Sequence, residues 1–357
     1  MIRPRPQDHL LRWGARALGS LPRAALRVAN GRPVVVDGHT LHPAVQASLR
    51  VMNDSPGAHF ERLPLDEARA HIELEAWTFA SGIRLAERSD IEIPTRAGTV
   101  PGRVYRARTD VAASGIIVYF HGGGWVLGSV DSADATCRTL AKTSGLTVVS
   151  VGYRLAPESP FPAGLHDGVD AFRWVRDNAA RFGGTAETVG VGGESAGGNM
   201  AAVVAAVTRD DAGGAPAFQI LFCPVTDLSR EHRSYELFRD GFFLTAAQMH
   251  WYAAHYLSGG GGRAEDPLVS PLRAADLAGL APAYVAVSGF DVLRDEGVAY
   301  AERLEAAGVP TRLVTHTDQI HGFFNACGAL RDAREAVADA GRWALDTLSA
   351  ARTGGRR

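Results

Sequence analysis

The sequence predicts a doubly wound α/β domain, a mostly parallel sheet with helices on both faces. Three observations carry that reading. The runs GIIVYF (115–120) and LTVVSV (146–151) are short, β-branched and nearly apolar throughout, as strands covered on both faces are. Segments of helical period separate such runs. The resulting order of strand, helix, strand, helix favours parallel crossovers.

The elements follow in chain order. Residues 1–85 read as mainly helical, punctuated at Pro22, Gly31–Pro33 and Pro56–Gly57. The stretch MIRPRPQDHLLRWGARALGSLPRAALRVA mixes Arg with Leu and Ala and has no continuous apolar stretch, which argues against a secretory signal. Arg12, Arg16, Arg23 and Arg27 form a basic face. It is read as packing on the protein's own surface, with weak membrane contact as the alternative and no stable membrane insertion. IEIPTR (91–96) and RVYRA (103–107) read as a meander. In residues 165–184, Leu165, Val169, Phe172, Val175 and Ala179 recur at helical spacing, and Gly183–Gly184 close the helix. TVGVGG (188–193) is a strand, and an alanine-rich helix follows over 197–210. Further strands are expected at 217–224, 283–289 and 311–316, and helices at 294–308 and about 331–351.

Residues 229–265 interrupt the alternation. They hold GFFLTAAQMHWYAAHYLSGGGG, aromatic and helical, ending in four glycines. Placed over the C-terminal edge of the sheet, such an insertion covers the region where open α/β sheets bind ligands. Phe242, Phe243, Trp251, Tyr252 and Tyr256 either line a lid or only pack the insertion; both readings stand. The expected organisation is an N-terminal helical cap segment (1–85), a catalytic core (86–228 and 266–357) and a cap insertion (229–265).

Composition narrows the function. The 357 residues carry a net charge of −2 and are 46% hydrophobic, with Lys142 the only lysine, so there is no electrostatic case for nucleic acid. Cys137, Cys223 and Cys327 are far apart and odd in number, which suggests a reducing, cytoplasmic compartment and no disulfide framework. No apolar run is long enough for a membrane span.

The chemistry centres on VGVGGESAGGNM (189–200), which contains Gly193-Glu194-Ser195-Ala196-Gly197 between a strand and a helix. Glycines there permit a sharp turn that presents Ser195 at the top of the sheet, beside a helix N-terminus that favours negative charge. A serine hydroxyl needs a base, and a nucleophile on such an elbow is followed in the chain by an acid and then a histidine. His321, in IHGFF beyond the last strand, is the expected base. His316, at that strand's end, is read as structural. Asp291, just past AYVAVSG, is the expected acid, while Asp295 and Glu296 begin the next helix. Upstream, a strand leads into His121-Gly122-Gly123-Gly124-Trp125. No phosphate-loop pattern is present; the bare backbone instead supplies N–H groups to an oxyanion, and a Cβ is expected to push substrate away. His121 is expected to shape this loop and not to act as the base. His39 with His42, and His250 with His255, lack a third ligand nearby, so no metal is expected.

Together HGGGW (121–125), YRLAPE (153–158), GESAGG (193–198), DVLRDEG (291–297) and HGF (321–323) resemble the hormone-sensitive-lipase-like carboxylesterases of the α/β-hydrolase superfamily. The resemblance runs from about residue 85 to the C-terminus. It implies an α/β-hydrolase core with a helical cap, a serine-hydrolase mechanism without cofactor, and a small-molecule ester as partner. Matched position by position, the amides of Gly123, Gly124 and Ala196 are the oxyanion donors. Two positions depart from the nearest branch: Glu194 stands where Asp is usual, and Val292 where Pro is usual. The expected pocket draws on Trp125, Glu194, Phe242, Phe243, Trp251 and Phe290, and a capped cleft favours short or medium acyl chains. The resemblance also brings a homodimer into view. Amide or formamide hydrolysis would use the same triad. A hydrolase-like receptor is the non-catalytic alternative, disfavoured because serine, acid and histidine are all present.

Overall fold

The computed structural model of the chain describes residues 5–109 and 115–354; the first four residues of the N-terminal segment lie outside them. The strands are β1 (Val35–Val36), β2 (His39–Thr40), β3 (Glu87–Thr95), β4 (Gly98–Arg106), β5 (Ile116–Phe120), β6 (Thr147–Val151), β7 (Val189–Glu194), β8 (Gln219–Phe222), β9 (Ala283–Phe290) and β10 (Thr311–Ile320). The helices are α1 (Pro6–Ser20), α2 (Arg23–Asn30), α3 (Pro43–Asn53), α4 (Leu65–Thr78), α5 (Asp134–Ser144), α6 (Ala163–Asp177), α7 (Ala196–Val207), α8 (Arg233–Leu237), α9 (Ala246–Tyr256), α10 (Arg294–Ala306) and α11 (Arg331–Gly354).

Eight strands form one sheet in the order β10-β9-β8-β7-β5-β6-β4-β3. The pairs from β10 to β6 are parallel, and β4 is antiparallel to both β6 and β3. The expected meander is therefore the antiparallel edge of a parallel sheet. One core layer, with Val169, Phe172, Met200 and Tyr300, lies under α6, α7 and α10. The other, with Cys137, Leu140, Ala340 and Ala344, lies under α5 and α11. Strands β5 to β9 are buried along their whole length, which is why their sequences carry no alternation.

Register positions the site. Phe120 of β5 is level with Gly193 of β7, so the glycine loop and the serine turn leave adjacent strands at the same height. Phe290 of β9 is level with Ile320 of β10, so Asp291 and His321 are the next residues out, side by side. All four exits are at the C-terminal edge. Chain order reverses between β5 and β7, the crevice where open α/β sheets bind ligands.

Some elements differ from expectation. Helix α5 hides in ADATCRTLAKTS because its buried Thr139 and Ser144 return hydrogen bonds to Ala135 O (2.8 Å) and Leu140 O (2.7 Å). Strand β10 runs past His316 to Ile320, so His316 lies inside the strand and not at its end. The N-terminal segment is helical but includes the β1–β2 hairpin, turned by Asp37 (φ 54°) and Gly38 (φ 77°).

The basic N-terminal face packs partly on the protein itself. The Arg12 guanidinium lies 4.6 Å from the Trp77 ring centre, Arg16 donates to Ala80 O (3.1 Å), and Arg23 pairs with Asp332 (2.6 Å). The N-terminal segment and the 229–265 insertion meet: Gln248 donates to Ala58 O (2.9 Å), and Phe60 packs edge-on to Trp251. Arg69 of α4 clamps this layer to the core. It donates to Val126 O (3.0 Å) and Ala156 O (3.1 Å) and pairs with Glu158 (2.7 Å). Among the described residues no helix is long and apolar enough to cross a membrane, and the three cysteines are buried and free.

Candidate active site

Ser195 sits between β7 and α7 with φ 57° and ψ −119°, a conformation that non-glycine residues avoid. Its neighbours hold it there. Its N–H donates to Phe222 O (2.9 Å), and its carbonyl accepts from Asn199 N (2.9 Å) and Val225 N (3.2 Å). The flanking glycines have a steric reason. A Cβ on Gly193 would stand 2.1 Å from Gly197 O, and one on Gly197 would stand 2.1 Å from Phe120 O. The strained turn persists because tightly packed surroundings over-determine it.

The sequence-predicted histidine and acid converge on this serine. His321 Nε2 lies 3.0 Å from Ser195 Oγ, and Nδ1 lies 2.7 Å from Asp291 Oδ2. The other oxygen of Asp291 accepts from Leu293 N (3.0 Å), which fixes the carboxylate plane. All three side chains are buried. Burial alone would lower the His321 pKa. The charge and hydrogen bond of Asp291, with further charge from Glu194 and Glu75, outweigh it and hold the imidazole above its ordinary value. The arrangement can move a proton from the hydroxyl to Nε2 while Asp291 stabilises the imidazolium.

The glycine loop lies alongside. Gly123 (φ 104°) and Gly124 (φ 60°) both occupy the left-handed half of backbone space. The space beside them is filled by protein, which corrects the expectation that a Cβ would meet substrate. A Cβ on Gly123 would stand 2.3 Å from Leu127 O. One on Gly124 would stand 2.0 Å from Cδ1 of Tyr252, and one on Gly122 would stand 2.1 Å from Glu194 Oε2. His121 is stacked on Tyr153 at 4.3 Å, with Nδ1 2.7 Å from Gly122 O. Burial lowers its pKa to about 4, so it stays neutral.

Glu194 is buried beneath this loop. Its Oε1 lies 3.7 Å from His321 Nε2. The Asn325 side chain favours the charged form of this carboxyl and is itself oriented by Thr136, whose Oγ1 donates to Asn325 Oδ1 (2.8 Å). Burial pushes the Glu194 carboxyl up, against the opposing pull of His321 and Asn325.

The expected aromatic residues divide by surroundings. Trp125 is buried and stacked on Tyr256 at 4.1 Å, so it ties α9 to the glycine loop. Phe290 is buried against Phe238 and Phe242. Phe243 lies over Gly322, next to His321. Trp251 is half-buried against Phe60 and His255. Sequence reasoning passed over Phe60, Glu75 and Asn325 and left Tyr252 undecided. Asn325 lies four residues past His321, where its spacing was the only local signal; Phe60 and Glu75 carried none.

The histidine pairs considered for metal are otherwise engaged: His42 lies 3.6 Å from Asp332, and His250 lies 2.9 Å from Glu231. The donor cluster of metal-like compactness among the described residues is Cys223, Asp291 and His321. Burial keeps the Cys223 thiol protonated, and Asp291 and His321 are already bonded to each other, so the set does not suit a cation.

Comparisons with known proteins agree with this geometry. Residues 117–325, more than half of the chain, match the family described as alpha/beta hydrolase fold. The chain is 39% identical to the carboxylic ester hydrolase LipN of Mycobacterium tuberculosis, over 90% of this chain and 87% of that one. It is 35% identical to an ethyl acetate hydrolase of Pseudomonas putida, over 84% and 96%. Among solved structures, an ester hydrolase from the metagenome of Lake Arreo superposes with a TM-score of 0.82 at 38% identity, covering 87% of this chain and 99% of that one. An esterase of Pyrobaculum calidifontis gives 0.80 at 36% identity, covering 87% and 99%. With a parallel sheet that delivers serine, acid and histidine to one edge, and with esterases as relatives over nearly its whole length, the chain belongs to the hormone-sensitive-lipase-like carboxylesterases of the α/β-hydrolase fold.

Proposed function

We propose that Ser195, His321 and Asp291 are the nucleophile, base and acid of two-step hydrolysis of short- to medium-chain esters. The carrying observation is the bonded series from Ser195 Oγ to His321 Nε2 (3.0 Å) and from Nδ1 to Asp291 (2.7 Å), with Ser195 on a strained elbow. His321 takes the hydroxyl proton as Oγ attacks the ester carbonyl. The amides of Gly123, Gly124 and Ala196 receive the oxyanion, and the helix beginning at Ala196 adds its positive end. Collapse expels the alcohol, which takes its proton from His321. Water, deprotonated by the same imidazole, then clears the acyl-enzyme.

Residues 1–85 and 229–265 act as the cap. Their contacts with each other, and the Arg69 clamp, support that division. Phe243 beside Gly322 and Tyr252 against Gly124 narrow the cleft near the reacting atoms, which supports the chain-length preference.

Two assays test the reading. Ser195→Ala protein, free of contaminating esterases, should lose nearly all p-nitrophenyl butyrate hydrolysis and all labelling by a fluorophosphonate. Wild-type turnover in that variant would overturn the nucleophile. In a series of p-nitrophenyl esters from two to sixteen carbons, kcat/KM should peak among the shorter chains; a maximum at the longest would refute the size preference.

A further inference from the structure

Helix α1 turns an apolar face to the solvent. Its inward side carries Asp8, Arg12, Ala15 and Gly19, at i, i+4, i+7 and i+11, all buried or half-buried. Its outward side carries Leu10, Trp13, Ala17 and, just past its end, Leu21, at i, i+3, i+7 and i+11, and all four are exposed. The outward face of a surface helix is ordinarily the polar one. Helix α2 repeats the arrangement: Leu26 and Asn30 are buried, while Ala24 and Val28 on the opposite side are exposed. Leu10 is 73% exposed, Trp13 75% and Val28 86%. Five of the nine large hydrophobic side chains that stand exposed among the described residues fall between Leu10 and Val28, so they form a cluster and not a scatter of single residues.

The same segment is basic. Residues 1–32 hold seven of the chain's 37 Lys and Arg but only one of its 39 acidic residues, Asp8, so the remainder of the chain is net acidic. Asp8 pairs with Arg5 (3.8 Å), and Arg23 is spent on Asp332 (2.6 Å) and Asp318 (3.5 Å). Arg12 and Arg16 meet the Trp77 ring and the Ala80 carbonyl, neither of which balances a charge. Burial and the neighbouring charge of Arg16 hold the Arg12 pKa below its ordinary value. Arg27 and Arg32 are exposed, with no ion pair among the described residues.

We propose that the outward faces of α1 and α2 dock on the surface of an anionic phospholipid bilayer and so hold the enzyme where apolar esters dissolve. Trp and Leu side chains settle at the headgroup boundary, and arginines beside them pair with lipid phosphates and carboxylates. The contact is peripheral, since no helix among the described residues is long and apolar enough to cross a membrane. A second copy of the chain fits this face less well, because a twofold contact would set two basic patches against each other. The face belongs to the layer over the site. His9 of α1 packs edge-on to Trp77 of α4 (4.9 Å), and a Cβ on Gly19 would stand 2.4 Å from Ala329 O, eight residues past His321.

The test spins the full chain down with vesicles of phosphatidylcholine alone or with roughly 30% phosphatidylserine, in about 0.1 M salt. Partitioning onto the anionic vesicles should exceed that onto the neutral ones by about tenfold or more, and should fall as salt is raised. Leu10→Gln with Trp13→Gln, and separately Arg27→Gln with Arg32→Gln, should each weaken it by about tenfold. All four positions are exposed, and hydrolysis of p-nitrophenyl butyrate without vesicles checks that each variant is folded. Partitioning no greater onto anionic than onto neutral vesicles overturns the proposal. So does anionic binding that either double variant leaves within twofold of wild type. If vesicles are not bound, and Leu10→Gln with Trp13→Gln turns a dimer into a monomer in light scattering, the face is a contact between copies and the proposal falls. Lipid binding is read without turnover, so its failure leaves the Ser195 assignment untouched.

Discussion

Gly124→Ala tests the glycine loop most directly. The substitution carries two costs. At φ 60° an alanine is in left-handed space, which costs roughly 1–2 kcal/mol. Its Cβ would also stand 2.0 Å from Cδ1 and 2.1 Å from Cγ of Tyr252. Ordinary carbon contacts are about 3.5–4.0 Å, so ring or loop must give by roughly 1.5 Å. The ring has little room, since Phe60 and Trp251 pack against it with centroids at 5.5 Å and 5.3 Å. Overpacking of this kind costs about 1–3 kcal/mol. If the loop moves, the Gly124 amide leaves the position proposed for it, and losing one oxyanion donor costs about 2.7–4 kcal/mol in barrier, or roughly 10²–10³ in kcat. The assay is kcat on p-nitrophenyl butyrate together with the chemical unfolding midpoint. Repeating the change in a Tyr252→Ala background removes the collision, so there Gly124→Ala should cost only the backbone term. Equal stability losses in both backgrounds, or a kcat within threefold of wild type, would rule out the Tyr252 collision as the cause.

Other outcomes follow from the same geometry. His321 is held above its ordinary value, and its neutral form is the proposed base, so activity should be lost on the acid side with a midpoint above about 6.5; a profile flat between pH 5 and 8 with chemistry limiting counts against it. Asp291→Asn removes the largest charge raising that value, so the acid limb should move to lower pH while kcat falls about 10³–10⁴-fold. An unmoved limb would show that Asp291 does not set the imidazole's protonation. Arg69→Ala removes the clamp on Val126, Ala156 and Glu158, and should lower stability by about 1–2 kcal/mol after allowing for the exposure of Glu158. Calorimetry checks this, and an unchanged melting temperature would mean that the clamp is replaced by water at no cost.

The sequence was legible wherever the signal is local. Strands β5 to β9 are buried on both faces, so their residues need no alternation and stand out as apolar runs. The elbow was legible because only glycine fits against Gly197 O and Phe120 O. The hairpin at Asp37–Gly38 also carried a local signal, the Asp-Gly turn pair, which the helical reading of the segment passed over. Helix α5 was concealed because its polar side chains satisfy themselves on the preceding turn. At the edge of the sheet β10 is exposed in alternation, so its polar second half did not read as strand.

By itself, then, the amino-acid order determined the parallel sheet, the serine elbow and the succession of acid and histidine. These depend on backbone conformation and on strand ends, which neighbouring residues specify. Only the tertiary structure decided that Phe290 and Ile320 are level, so that Asp291 and His321 emerge together. It likewise decided that the space beside Gly122 and Gly124 belongs to Glu194 and Tyr252, and that Phe60 of the N-terminal segment packs on Trp251 and Tyr252 of α9. Such contacts join segments distant in the chain. They depend on how separate faces pack, and no short stretch of sequence encodes that packing.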